Sequence, residues 1–425
     1  MFKRLSIHGW RQYGDIDLEF HPRLTVLTGA NGCGKTTILN VLNRHFGWSI
    51  TFLSTPKKRK KDGILEFFPG LWEKLFLKND SEDTKEVMVG EITYDDDSVA
   101  LLKIPTNVHK EYQFNIEGKK LVPGLHIPSH RPTFVHQEVD SLPTTPPTRS
   151  AIFRTYSDEI KNRHITGYSD RHAPNYHLKE ALISLAVYGY GNEVVEANQE
   201  ARELFEGFQD VLTKVLPPKL GFKKLLIEMP EVVMSTRSGD FPVDAASGGI
   251  TAIIDLAWQI YTFSKQGEIK GNPFVVTLDE PENHLHPEMQ RALLKNFIDA
   301  FPDAQFIVAT HNPFIVTSVP DSNVYVLDYE TIDSESSQKR VNSFLLDNVE
   351  KAGSSNEILR EVLGLDSTIP LWAEEKLNEI VSRYSSQILE ESTLREFRSE
   401  MKEIGFDKYI PETLSKVSLE HDKTD

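Results

Sequence analysis

Eight consecutive residues, Gly29-Ala30-Asn31-Gly32-Cys33-Gly34-Lys35-Thr36, restrict the folds open to this chain more than any other stretch. They fit the pattern GxxxxGK(S/T), and their flanks supply the context that this pattern needs. The apolar run Leu24 to Thr28 reads as a strand, while Ile38, Leu39, Val41 and Leu42 recur at helical spacing. Strand, glycine-rich loop and helix in that order make a phosphate cradle. The glycines let successive backbone N–H groups turn inward, and the helix N-terminus adds its positive dipole end. Lys35 is expected to reach the β- and γ-phosphates of ATP, Thr36 to hold Mg2+, and Thr37 to belong to the nucleotide-binding set with the loop.

A second apolar run, Phe274 to Leu278, ends in adjacent carboxylates, Asp279 and Glu280. Charges at the end of a buried strand are costly unless a cation meets them, so the pair points to a site. Asp279 is expected to hold Mg2+ from outside its first ligands, and Glu280 to act as the general base on the attacking water. Thr310-His311-Asn312 follows a third strand, QFIVA, where the imidazole is placed to bond a γ-phosphate. Ser247-Gly248-Gly249 opens a helix running through Ile253 to Phe263 and forms a second anion-binding N-terminus. Taken alone, such a triplet is a plain turn, and a lone histidine is structural.

Around these motifs the chain reads as an α/β head over residues 1–330, with strands and helices alternating as in a parallel sheet. A hairpin opens it, Phe2 to Ile7 and Ile16 to Phe20. Residues 47–84 are an insertion, 85–127 an antiparallel β subdomain and 175–220 a helical insertion. Residues 331–425 read as a small helical appendage, with an exposed SESSQ loop and apolar residues at helical spacing from Leu377 to Ile388. No heptad array suggests a coiled-coil arm.

The 425 residues carry a net charge of −16 and one cysteine. That charge disfavours a surface coated with phosphate contacts. It leaves room for a local one at Lys57, Lys58, Arg59, Lys60 and Lys61, a run that is either a solvated loop or a contact for nucleic acid or an acidic partner. A single thiol permits neither an internal disulfide nor a thiolate zinc site, and a cytoplasmic setting is expected. Cys33 itself reads as a tolerated loop position rather than a redox switch, because its backbone does the binding. No membrane span and no secretory leader are expected.

The order of P-loop, SGG helix, DE strand and TH strand resembles that of the ABC-type ATPases over Met1–Asp328. GANGCGKTT, SIHGWRQYGDIDLEF, DEPENHLHPEMQ and ATHNPFIV are most similar to the RecF/SMC-like branch, which includes OLD-type and stand-alone defence ATPases. The resemblance implies that two heads sandwich ATP, with Ser247, Gly248 and Gly249 acting in trans. It also implies that Glu282 to His286 cross the dimer interface, that Arg11 lies near the phosphates, and that a glutamine lines the metal, for which Gln137 is the candidate. Ser129, His130 and Arg131 resemble a motif of the stand-alone group with no role derivable from sequence. Ala246 and Ile250 depart from the usual LSGGQ, which implies slow or trigger-dependent turnover.

The tail LGLDSTIPLWAEEKLNEIV resembles that of Septu and retron-associated ATPases paired with a separate nuclease. The function expected is therefore a regulatory ATPase of anti-phage defence that gates an effector such as a nuclease or toxin through ATP-dependent self-association. The alternative is a RecF-like ATPase of DNA repair or chromosome maintenance that clamps DNA directly. A transporter subunit fits poorly with the insertions and the weak signature. An internal nuclease would require spaced acidic residues on apolar strands after Asp328, and that stretch reads as helical.

Overall fold

The computed structural model describes the chain apart from residues 49, 59–64, 72–85, 132, 167–171, 332–338, 366–368, 386–390, 411–413 and 415–425. Strands β1 (Phe2–His8) and β2 (Asp15–Glu19) form the expected hairpin, with Leu5 opposite Leu18 and Ile7 opposite Ile16. β3 (Leu24–Gly29) leads through the glycine loop into α1 (Lys35–Asn43). Short strands β4 (Phe52–Leu53), β5 (Thr55–Lys58) and β6 (Leu65–Phe68) follow, then β7 (Glu86–Tyr94), β8 (Val99–Pro105), β9 (Glu111–Tyr112), β10 (Asn115–Glu117) and β11 (Gly124–Ile127).

Helices α2 (Arg149–Thr166), α3 (Pro174–Tyr190) and α4 (Gln199–Val215) come next. A three-stranded sheet of β12 (Phe222–Glu228), β13 (Glu231–Thr236) and β14 (Gly239–Pro242) precedes α5 (Gly248–Ser264). The chain then alternates through β15 (Phe274–Asp279), α6 (Pro287–Ala300), β16 (Ala304–Ala309), α7 (Pro313–Val316), β17 (Asn323–Thr331) and β18 (Lys339–Leu345).

Two sheets carry this part of the chain. One is antiparallel, ordered β10-β8-β7-β1-β2; the other is ordered β11-β15-β16-β3-β17-β18 and is parallel except for β18. Every residue of β3, β15 and β16 is buried, which is why these strands read as continuous apolar runs rather than alternating ones. Ile38, Leu39, Val41 and Leu42 of α1 share one apolar cluster with Leu5 and Ile7 of β1, Leu102 of β8, Val275 of β15 and Ile307 of β16. The helix that begins at the glycine loop is thus fixed by both sheets.

Three expectations change. The 85–127 stretch is not a separate subdomain: β7 pairs with β1, and β11 leaves the meander to pair in parallel with β15. The pattern misleads because β11 is short and buried on both faces, so it carries no alternation. Helix α2 precedes the expected helical insertion and packs with α3 and α5. The stretch expected to be a helical appendage from 331 opens with β18, whose pairing with β17 continues the sheet.

By contacts the chain divides into Met1–Ile358 and Leu359–Asp425. The second unit holds α8 (Leu371–Ser385) and α9 (Glu391–Glu403) around Leu377, Ile380, Phe397 and Met401. The SESSQ loop lies outside the described residues. Among the described residues no helix is long and apolar enough to cross a membrane.

Candidate nucleotide and catalytic site

Parallel strands place their carboxyl ends on one edge, and ligands of open α/β sheets gather there. Here β16 lies between β3 and β15, with Ala309 paired to Leu27 on one side and to Asp279 on the other. This pairing brings residues 29–37, 279–280 and 310–311 together from three distant parts of the chain.

The loop needs its glycines. Gly29 and Gly34 have φ of 131° and 101°, and a Cβ on Gly34 would lie 2.3 Å from the Tyr13 hydroxyl. Tyr13 donates to the Gly34 carbonyl (2.7 Å), and Tyr329 to that of Gly32 (3.0 Å), so two tyrosines outside the motif brace it. The Thr37 side chain also bonds Tyr13. Lys35 is buried, with Nζ donating to the carbonyls of Gly29 (2.8 Å) and Ala30 (3.1 Å) at the mouth of the loop. Ala30 and Asn31 are exposed, whereas Cys33 is buried in the apolar core. Burial pushes its thiol up, away from reactivity.

Thr36 donates to both oxygens of Asp279, at 3.2 and 3.0 Å. Burial pushes the Asp279 carboxyl up to about 6; the Thr36 bond opposes this and the neighbouring Glu280 charge adds to it. A buried carboxylate beside a second one and a hydroxyl is a hard-oxygen set short of positive charge, and Mg2+ fits it. Bound there with ATP, the ion would neutralise the β- and γ-oxygens.

Glu280 has a left-handed backbone (φ of 45°), a conformation that only its surroundings can maintain. Its N–H donates to Ala309 (2.8 Å), and its carboxylate contacts His311 Nδ1 (2.9 Å) and accepts from Asn283 Nδ2 (3.3 Å). The expected base and the expected γ-phosphate partner are therefore in direct contact. Glu282 is buried and accepts from Thr310. His284 and His286 at the far end of the turn are exposed.

Ser247 and Gly248 are exposed at the N-terminus of α5, and the Ser247 side chain makes no capping bond to the first N–H groups of the helix. Arg11 lies over Trp10 and Phe52, 5.7 and 5.6 Å from their ring centres, and its charge acts on Tyr13 behind the glycine loop.

Gln137, the candidate glutamine, accepts at Oε1 from the Ala173 N–H (2.8 Å) and donates its own N–H to Asp244 (3.4 Å), beside a polar group of Asn175, Lys179 and Glu231. The residues that follow β11, next to the Asp279 strand, are Ser129, His130 and Arg131. The His130 charge acts on Asp279, and Arg131 donates to the carbonyls of Pro281 (3.0 Å) and Asn283 (2.7 Å). The strand pairing decides which residues lie beside the Asp279 strand, and nothing in the sequence states that pairing. Lys57 and Lys58 are exposed on β5, while Arg59, Lys60 and Lys61 lie outside the described residues.

Residues 4–129 match the AAA domain family and residues 156–316 the AAA ATPase domain family. The Septu protein PtuA of Bacillus thuringiensis is 24% identical over 87% of this chain and 85% of its own length. The Retron Vc95 probable ATPase of Vibrio cholerae is 29% identical over 19% of this chain and 16% of its own length. Among solved structures, the SMC head domain from Thermotoga maritima aligns over 81% of this chain and 99% of its own, with 14% identity and a TM-score of 0.42. The two ATPase-domain matches meet at this site, and together with the similarity to the Septu and retron proteins they make the chain an ATPase.

Proposed function

We propose that this ATPase is the regulatory subunit of a cytoplasmic anti-phage defence system, in which ATP binding pairs two heads and hydrolysis gates a partner effector, a nuclease or toxin. The observation that carries the reading is the split of the machinery within one chain. Lys35, Thr36, Asp279, Glu280 and His311 converge at one sheet edge, while Ser247 and Gly248 are exposed at a helix N-terminus that no side chain caps. A helix N-terminus of that kind suits the γ-phosphate of a nucleotide held by a second copy.

In this reading the loop from Gly29 to Thr37 and Lys35 hold the phosphates, and Thr36, with Asp279 behind it, would hold Mg2+, which would supply charge neutralisation there. Glu280 takes the proton of the attacking water, oriented by His311. Relatives named for the Septu and retron systems support the defence setting.

The test is to tag the chain at its native locus, trap the paired form with Glu280→Gln, and recover it with ATP and Mg2+. Glu280→Gln is expected to bind ATP, turn over at least about a hundredfold more slowly and accumulate pairs. A stoichiometric nuclease or toxin recovered with it supports the reading. Recovery of the chain with DNA alone moves the case to a RecF-like clamp. Near-normal hydrolysis removes Glu280 from the base role.

A further inference from the structure

Arg131 is enclosed behind the catalytic turn with only part of its hydrogen-bonding capacity used. Nη2 serves the carbonyls of Pro281 and Asn283, whereas Nε and Nη1 are buried and have no partner among the described residues. Two buried carboxylates act on its charge, Asp255 in the middle of α5 and Glu282 in the turn. Glu282 accepts from Thr310 at Oε1, but its Oε2 is buried and has no partner among the described residues. Each idle group carries a full desolvation penalty, which apolar side chains of similar size would avoid. Packing alone does not account for an arginine here.

The same two elements touch again at the exposed end of α5. A Cβ on Gly249 would meet the His284 carbonyl oxygen and the Met289 methyl carbon, both at 3.3 Å. The turn from Glu280 to His286 therefore lies against the Ser247 end of α5. Glu280 sits at the start of that turn in a backbone conformation sustained by its neighbours, two of which are the carbonyl oxygens that Arg131 holds.

We propose that Arg131 is a positioning residue that couples the exposed N-terminus of α5 to Glu280, so that engagement of Ser247–Gly249 by a second head aligns the carboxylate for hydrolysis. The proposal rests on the head-pairing reading above. Motion of the Gly249 end of α5 presses on the turn at His284, and the guanidinium holds the main chain of that turn on either side of Glu282. The idle N–H groups of Arg131 and the idle Glu282 oxygen give the cluster a second bonding arrangement to adopt.

The test is a double-mutant cycle between Arg131 and Ser247 on the full chain, read as steady-state ATP hydrolysis with Mg2+. Arg131→Ala is expected to lower kcat on the order of tenfold or more, as small misplacements of a catalytic group do, with KM for ATP held within about twofold. Ser247→Arg, which blocks pairing, lowers kcat by itself. The double variant is expected to be no slower than the slower single variant, because both remove the same step. Arg131→Lys keeps the charge and one donor and is expected to recover part of kcat.

Losses that multiply in the double variant overturn the coupling, and an unchanged kcat in Arg131→Ala overturns the positioning role. An unchanged kcat in Ser247→Arg overturns head pairing instead, which separates the two failures. If Arg131→Ala does not fold, the cycle is run with Arg131→Lys, and multiplying losses there overturn the proposal in the same way.

Discussion

Replacing Asp255 with asparagine is expected to stabilise the protein above pH 6 and to leave it near parity at pH 4. Asp255 is 1% exposed and accepts from the Tyr156 hydroxyl (2.5 Å) and from Gln259 Nε2 (3.0 Å). Burial raises its carboxyl from 3.8 to about 6; the two hydrogen bonds and the Arg131 charge oppose this without prevailing. Between those values the folded chain keeps a proton that the unfolded chain has released. Stability therefore falls as pH rises through the interval, and the whole loss is present above about 6.

Roughly two pH units at about 1.36 kcal/mol each give a loss of about 3 kcal/mol. Asparagine matches the shape, keeps an acceptor for Tyr156 and does not ionise. Its amide must re-pair with Gln259, so a net gain of about 2 kcal/mol at pH 7.5 is the expectation after losing part of one hydrogen bond. Urea unfolding of both chains without nucleotide, from pH 4.5 to 8, measures it, because every other titrating group cancels in the comparison. A difference that stays constant across that range would refute the reasoning. Removing the opposing charge with Arg131→Ala should carry the pH-dependent interval upward.

Lys35→Ala is expected to abolish ATP binding, measured with a fluorescent analogue; retained tight binding would overturn the cradle assignment. Lys179 is fully buried and bridges Asp244 (2.5 Å) and Glu231 (2.9 Å), so Lys179→Met should lose roughly 3–5 kcal/mol by stranding buried carboxylates. A loss under about 1 kcal/mol in urea unfolding would place the pair with exposed ones, and adding Asp244→Asn should recover part of the deficit. Reversing Lys57 and Lys58 to glutamate should weaken binding to nucleic acid or an acidic partner in a salt-dependent manner, measured by anisotropy at two ionic strengths. Unchanged binding leaves β5 as a solvated strand.

The phosphate cradle, the DE strand and the TH strand are legible in the sequence because each is a local object: a buried strand followed at once by the residues that act. Position along the chain and position in space then coincide within a few residues. The same local reading does not reach His130 and Arg131. They follow β11, and β11 reaches the site only through a parallel pairing of Ile127 with Leu278, which lies some 150 residues away in the chain. The available signal was the pair His130-Arg131 directly after a short apolar strand, the same strand-end logic that identifies Asp279 and His311. Tyr13 and Tyr329 were illegible for a related reason, since each supports the glycine loop from a different sheet strand or strand end.

Charge balance at the edge follows from this construction. Asp279, Glu280 and Glu282 put three carboxylates within four residues, and the basic side chains that answer them come from elsewhere: Lys35 from the loop, His130 and Arg131 from the stretch after β11, His311 from the stretch after β16. No two of these three sources are adjacent in sequence, so the balance exists only when the parallel sheet is assembled. Glu280 remains engaged by His311 and Asn283 at its own sheet edge, while the uncapped N–H groups at Ser247–Gly249 belong to no phosphate of the same chain in the proposed arrangement. A single head is thus expected to bind ATP well and hydrolyse it slowly, with turnover per head rising as protein concentration drives pairing. A rate per head that is independent of concentration across the pairing transition would show that the α5 N-terminus contributes nothing to hydrolysis.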